Sequence, residues 1–468
     1  MRTTSLASLS TLLALALAAC GGGAAPSGAS PSASSPAARP AASSSPASAP
    51  ASAAASVSAS GAAAGAAKGP IKVGLMEPLS GPQSPNGKDG RDGFYLYVDS
   101  IGRKVAGRTI DVMEADTQGQ ADVALSKAKQ LVEGNGAQVL VGFVVTPECY
   151  AVSGYVKQAH VPMMVTTDCA GQDLTTNPKY ASPYLSRYSN ISLTEGDIAA
   201  DWAYGAGYRK AILMTEDYAP GLQVSDLFAS AFISRGGSIV QELHPPVGTN
   251  DFGAYLAQLK PEADLLTIFE VGVDPLRFGA QYPNYVGQRK LQVLDLAGVL
   301  SGADLSKLQD KTVGVVANSN YNIANDSPAN QKFLKAWRAK YPGRDASEEV
   351  AGGYVGAQAL VAAIQAVNGN IEDQTKFLDA IHGIKIDTPK GTIRLDEHHD
   401  VVQSKFIVRI VKEGNGVGLK LLKAYPAVTQ FWDRTPEQLA AFKAGTHKGK
   451  WVGMTKDKLG QVLTTPSS

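Results

Sequence analysis

Ile71-Lys72-Val73-Gly74-Leu75-Met76, running into Glu77-Pro78-Leu79-Ser80-Gly81-Pro82, is the stretch on which the fold turns. A short apolar run with β-branched residues, stopped by a proline and a glycine, predicts a buried strand that ends in a turn. Gly87 to Ile101 then carries Phe94, Tyr95, Leu96 and Val98 among charges, as a helix would. The rhythm repeats outward. Thr109–Ala115 reads as a strand, Ala121–Val132 as a helix ended by Gly134, and Val139–Gly142 and Val161–Val165 as buried strands. Further on, Ala211–Met214, Ser238–Leu243 and Leu265–Phe269 are strands, with helices over Gly221–Ser234 and near Asp251–Leu259. Continuous apolar strands alternating with amphipathic helices mean parallel sheets covered on both faces. The number of βα units predicts two lobes, and a cleft between them is a preferred place for a ligand.

Upstream of this region the chain changes character. Arg2 and an apolar run from Leu9 to Ala19 precede Leu17-Ala18-Ala19-Cys20, which resembles a bacterial lipobox. The run is shorter than the ~20 apolar residues that span a hydrocarbon core, so it reads as an export signal. Cleavage before Cys20 and lipidation of its sulfur are expected. From Gly21 to Gly69 the chain is almost wholly Ala, Ser, Gly and Pro, with Arg39 and Lys68 the only charges. Such a segment has no large side chains to bury and is expected to be a disordered leash. The protein is therefore expected to be exported and lipid-anchored to the cell envelope, on its periplasmic or surface side.

The formal net charge of +1, from 43 Lys and Arg against 42 Asp and Glu, argues against a nucleic-acid partner. Enzyme signatures are missing as well. No glycine fingerprint follows the first strand, and there is neither a G-x-S-x-G elbow nor a phosphate-binding P-loop. His398 and His399 are adjacent, which is not metal-ligand spacing, and they read as an exposed turn between strands. No catalytic residue, metal or cofactor is expected. Cys149 and Cys169 are the two cysteines beyond Cys20. In an exported chain they are candidates for a disulfide, worth about 3 kcal/mol by the chain-entropy argument, with two free buried thiols as the alternative.

Read in order, these segments resemble the type I periplasmic solute-binding proteins of ABC importers, the receptors for branched-chain amino acids, amides and aromatic acids. The resemblance rests on Val73–Pro82, the glycine-spaced helix start Gly87 to Gly93, and Ala106-Gly107-Arg108-Thr109-Ile110. Glu216-Asp217-Tyr218-Ala219-Pro220-Gly221, Gly248–Phe252 and Tyr341-Pro342 continue it. It implies an α/β fold of two Rossmann-like lobes with parallel-rich sheets joined by a three-strand hinge. The crossings are expected near Ser189–Leu193, Ala317–Tyr321 and Leu395–Val402. The division that follows is a signal over 1–19, the lipidated cysteine and linker over 20–69, and a first lobe of 70–191 with 320–397. A second lobe of 192–319 with 398–430 and a C-terminal extension over 431–468 complete it.

Candidate ligand contacts come from the loops after the strands. Thr146-Pro147-Glu148 follows Val139–Gly142, and Thr as N-cap with Pro at the first helical position predicts a helix start. Its unpartnered amide N–H groups suit a carboxylate. The resemblance assigns Thr146 a ligand contact, while Glu148 must either face away or meet a donor. Thr167 matches a second contacting loop, with Asp168 beside it. From the facing lobe Tyr218 matches a tyrosine that closes over the ligand, and Glu270 a cleft position after its strand. Receptors for amino acids carry an acid where this chain has Ala297, with Asp295 two residues earlier, so a carboxylate without an amine is as plausible as an amino acid. Ser80, Gln83 and Tyr321 are further candidates at the cleft's edge. The implied partners are a small-molecule ligand, an ABC permease in the cytoplasmic membrane and the membrane itself through Cys20, with the receptor acting as a monomer. The same fold serving as a sensor for a signalling receptor is the alternative.

Overall fold

A computed structural model describes residues 69–189, 193–271, 273–286, 289, 291–296, 298 and 309–464. The lipobox with Cys20, the linker up to residue 68, the middle of the first expected crossing and Ala297 lie outside them. The first sheet has six strands. β1 (Ile71–Glu77) is its centre, paired in parallel with β3 (Arg108–Asp116) and β4 (Val139–Gly142). β2 (Lys104–Val105) edges β3, and β5 (Met163–Val165) and β6 (Leu185–Arg187) continue in parallel beyond β4. The order β2-β3-β1-β4-β5-β6 buries nearly every residue of β1 and β4, as their apolar composition requires. Helices α1 (Ser84–Ser100), α2 (Ala121–Lys129) and α3 (Thr146–Ala159) connect these strands. α2 ends in one wide π turn, Gln130–Gly134, where a regular helix was expected to run on.

The second sheet is nine-stranded. Its parallel part holds β7 (Lys210–Thr215), β8 (Ser238–Leu243), β9 (Leu265–Phe269), β10 (Gln292–Asp295) and β11 (Val316–Ser319), in the order β8-β7-β9-β10-β11. α4 (Leu193–Gly205) and α5 (Ala219–Ser234) pack on it around Trp202, Phe228 and Phe232. The helix expected near Asp251–Leu259 shrinks to α6 (Gly253–Leu256). Asp251 takes the Gly253 N–H and Gln281 takes the Phe252 N–H at its start, and the Gln258 side chain donates to the Ala254 carbonyl at its end. α7 (Asp274–Gln281) and α8 (Pro283–Val286) follow β9.

After β11 the chain returns to the first sheet. α9 (Pro328–Lys340), α10 (Glu348–Ala366) and α11 (Gln374–His382) form there, and Val355, Leu360, Ile364 and Phe377 join the core of Val73, Phe94 and Val141. α10 lies very close to α1. A Cβ on Gly93 would strike the Val350 carbonyl and one on Gly353 the Gly90 carbonyl, which explains the glycine spacing at the start of α1. The hairpin of β12 (Lys385–Thr388) and β13 (Gly391–Leu395) leads into β14 (Val401–Glu413). β14 begins in the first core with Val401 and ends in the second with Ile410, antiparallel to β11 and to β15 (Gly416–Val428).

His398 and His399 are not the exposed turn that their sequence suggested. His399 is half-buried and stacks on His382 at 3.6 Å between ring centres, because Asp400 beside it is drawn inside. Burial and the neighbouring His399 push His382 down to about 4. Beyond Phe431, α12 (Pro436–Phe442) and α13 (Lys456–Thr464) pack on α5, with Phe442, Trp451 and Leu459 entering the core of Phe228 and Phe232. Asp226 of α5 accepts from the Trp451 indole at 2.7 Å, and Arg434 grips Asp197 at 2.6 Å. No described helix is long and apolar enough to cross a membrane.

Candidate functional site

The carboxyl ends of parallel strands carry the polar residues of both sheets. In the first sheet β1 ends at Glu77, β4 at Gly142 and β5 at Val165. The loops after β4 and β5 are laced together, with the Thr166, Asp168 and Cys169 N–H groups donating to the Gly142, Phe143 and Val144 carbonyls. The Cys149–Cys169 disulfide fastens the first turn of α3 to the loop after β5, with the Cα atoms 6.4 Å apart.

Thr146 is the first residue of α3 and half-buried, and its cap differs from the sequence expectation. Val145 stands at the N-cap, and the Glu148 carboxylate reaches back to accept its N–H at 3.2 Å. Glu148 thus turns inward to serve its own helix, and burial raises its pKa. Thr167 is buried, and its hydroxyl donates to Glu77 at 2.6 Å. Burial pushes Glu77 well above the ordinary carboxylate range, offset in part by that hydroxyl. Asp168 is raised by burial and by the charges of Glu348, Glu349 and Glu195.

The second sheet presents a row of acids. Glu216 follows β7, Glu270 follows β9 and Asp295 ends β10, and all three are buried. Register places them side by side: Thr215 pairs with Phe269, and Asp295 with Ile268. The Glu216 carboxylate accepts the Val271 N–H, and that of Asp295 accepts the Gly298 N–H. Burial and a hydrogen bond with Asp274 push Glu216 up to about 8. Tyr218 stands at the N-cap of α5 in extended backbone, its ring 6.2 Å from that of Phe269. Burial, then the charges of Glu216, of Asp168 in the first sheet and of Glu270, raise its hydroxyl.

The remaining candidates have local partners of their own. Ser80 is exposed, its hydroxyl committed to Asp116 at 2.6 Å. Gln83 caps the neck of α1 and accepts from Asn86. Tyr321 turns into the cluster of Phe333 and Trp337 and donates its hydroxyl to Asn330 at 2.9 Å.

Sequence reading missed a buried charge network behind these loops. Lys405 on β14 meets Glu195 at 3.5 Å and the Asn320 side-chain oxygen, while the Asn320 amide donates to Glu195 at 2.8 Å and Glu348 at 2.6 Å. Lys390 sits nearby, lowered by burial against the pull of Glu348, Asp168 and Glu349. Glu349 is pushed up to about 7 by burial and by Glu348. A lysine inside the apolar pattern of Val401 to Ile410 was the available signal, since a buried cation demands partners.

Comparison with known proteins gives a consistent picture. A family model described as periplasmic binding protein matches residues 70–415. The Leu/Ile/Val-binding protein homolog 6 of Brucella suis biovar 1 (strain 1330) is 31% identical over 354 residues, spanning 74% of this chain and 89% of that protein. An ABC transporter substrate-binding protein from Sphaerobacter thermophilus superposes with a TM-score of 0.73 at 31% identity, over 76% of this chain and 98% of the other. A solute-binding protein of an ABC transporter from Rhodopseudomonas palustris BisB5, in complex with 3,4-dihydroxybenzoic acid, gives a TM-score of 0.69 at 28% identity. There 77% of this chain and 98% of that one are covered. With its two α/β lobes and strand-end polar sets, this chain belongs to the periplasmic binding protein family.

Proposed function

We propose that this chain is an exported, lipid-tethered receptor that captures a small amino acid or small organic carboxylate, aromatic ones included, and delivers it to an ABC importer. The observation that supports the reading is the placing of Thr146, Thr167 and Asp168 at the strand ends of one parallel sheet and of Tyr218, Glu270 and Asp295 at those of another. These are loops at the carboxyl ends of two separate parallel sheets, where open α/β sheets bind ligands. The names of the relatives, for branched-chain amino acids on one side and an aromatic acid on the other, support the ligand classes. A ligand held from both sets favours the form in which they meet, and only that difference in affinity moves the equilibrium. The lobe limits of 70–191 with 320–397 and 192–319 with 398–430 belong to the same reading, as does the anchor at Cys20.

The test is a thermal-shift and calorimetric panel of leucine, isoleucine, valine, benzoate and hydroxylated benzoates. At about 100 times its Kd, a true ligand adds roughly 2.7 kcal/mol to stability. Thr146→Ala should weaken that ligand more than it lowers the melting temperature. Conversion of a panel member into product would replace the receptor by an enzyme. Release of the Cys20→Ser protein from membranes tests the tether.

A further inference from the structure

Two carboxylates pin the C-terminal extension on either side of Lys448. Asp226 of α5 is buried and accepts the Gly445 N–H at 2.6 Å, the His447 N–H at 3.1 Å and the Trp451 indole at 2.7 Å. Glu242 of β8 accepts the Gly449 and Trp451 N–H groups, both at 2.7 Å. Against burial, His244 and then those N–H groups hold Glu242 below the ordinary carboxylate range. Gly445 has a φ of 93°, and a Cβ there would lie 3.0 Å from the Gln223 side chain near the start of α5, so the extension runs close over that helix. Between the two anchors the Lys448 ammonium meets the Asp217 carboxylate at 2.6 Å. Asp217 is the residue before Tyr218, in the short connection from β7 to α5. Its N–H donates to the Pro245 carbonyl and that of Tyr218 to the Glu216 carbonyl, both at 2.9 Å. Tyr218 is the N-cap of α5, with φ −152° and ψ 166°, so a shift of Asp217 is passed directly to its backbone.

We propose that Lys448 is a positioning residue for Tyr218: through Asp217 the extension sets the turn that carries the tyrosine, so that residues beyond the family match at 70–415 take part in binding. This rests on the receptor function proposed above and on Tyr218 facing the ligand there. The Lys448 and Asp217 side chains are 45% and 41% exposed. Pairs so open to water are weak, in part because two long side chains must be ordered to make them. Here the backbone is already fixed on both sides of Lys448 and at Asp217, which lowers that entropic cost. Without the pair the turn samples more orientations. A ligand must then select the productive one, and its apparent affinity falls by the fraction of chains that hold it.

Hydrogen exchange and calorimetric titration of the intact chain, beside Lys448→Met, Asp217→Asn and Lys448→Arg, test this. The titrants are leucine, isoleucine, valine, benzoate and hydroxylated benzoates. Lys448→Met and Asp217→Asn should each speed amide exchange over Tyr218–Leu222 about threefold, while exchange over Leu265–Phe269 stays as it was. Whichever titrant binds the wild type should bind these two variants about threefold more weakly, and Lys448→Arg should restore both readings. In about 1 M salt the wild type should exchange as Lys448→Met does, because the attraction is screened. Asp217→Asn serves alone should Lys448→Met fold poorly. Unchanged exchange over Tyr218–Leu222, or faster exchange with undiminished affinity, overturns the assignment of Lys448 and leaves the receptor function standing. If no titrant binds the wild type, the receptor function falls, and the role of Lys448 in binding falls with it.

Discussion

Arg187, the last residue of β6, and Asp400, the residue before β14, form an ion pair with neither side chain exposed to solvent. The guanidinium meets both carboxylate oxygens through Nε, at 3.1 and 2.9 Å, and spends Nη1 on the carbonyls of Cys169 and Gly171. Thr175 adds a hydroxyl to Asp400 at 2.8 Å. Desolvation of two charges is repaid only when such additional hydrogen bonds are made. The pair ties the end of β6 to the start of β14, and anchors the loop that carries Thr167 and Cys169.

Asp400→Asn or Arg187→Met should therefore cost about 3–5 kcal/mol, since each strands a buried partner. Urea melts of the single and double variants check this. The double variant should be less unstable than the sum of the two singles, because the contacts are shared.

The Cys149–Cys169 bridge closes a loop with a sequence separation of 20. Its removal by Cys149→Ser with Cys169→Ser should lower stability by roughly 3 kcal/mol. Because it fastens the start of α3, with Thr146, to the loop bearing Thr167, ligand affinity should fall as well. Melting curves with and without reductant, followed by binding at matched folded fraction, separate the two effects.

Thr167→Val removes the hydroxyl that Glu77 accepts while keeping the shape of the side chain. Glu77 then loses its stabilising donor in a buried site, and the protein should lose about 1–3 kcal/mol. Thr167→Ser should restore most of it. Denaturant midpoints of the three proteins are the measurement.

Glu216 has a pKa of about 8 in the fold against an ordinary 4.5, and Glu349 about 7. Between the ordinary and the raised values the folded chain holds protons that the unfolded chain has released, so its stability falls as pH rises. The ligand-free protein should accordingly melt lower at about pH 8 than at about pH 5.5, the Glu216 contribution levelling off above its folded pKa. Glu216→Gln should flatten the slope. A profile that climbs over this window would contradict the assignment of the proton to Glu216.

Much of the fold is written locally. Leu265–Phe269 is a strand with the limits that its apolar run suggests, since burial on both faces leaves little choice, and the edge strand Ser238–Leu243 also has its expected limits. Helix ends are less legible. At α3 the Thr-Pro pair marks the start, but the cap comes from Glu148 reaching back, a choice fixed by how deeply that side chain is buried. Among the candidate residues, Thr167 and Tyr218 stand after strands as their sequence suggests, whereas the commitment of the Tyr321 ring to Phe333 and of its hydroxyl to Asn330 of α9 is not legible there. The Lys405–Glu195–Asn320–Glu348 network is invisible to any local reading, joining residues up to 210 positions apart.

The family-wide match stops at residue 415, yet Tyr425, Val428, Phe442, Trp451 and Leu459 all seal the oily side of Trp202, Phe228 and Phe232. A recombinant fragment trimmed to the shared stretch would leave that side bare, and it should clump or be degraded rather than work as a smaller receptor. Reporter domains for a biosensor built on this chain should leave everything through Leu459 in place.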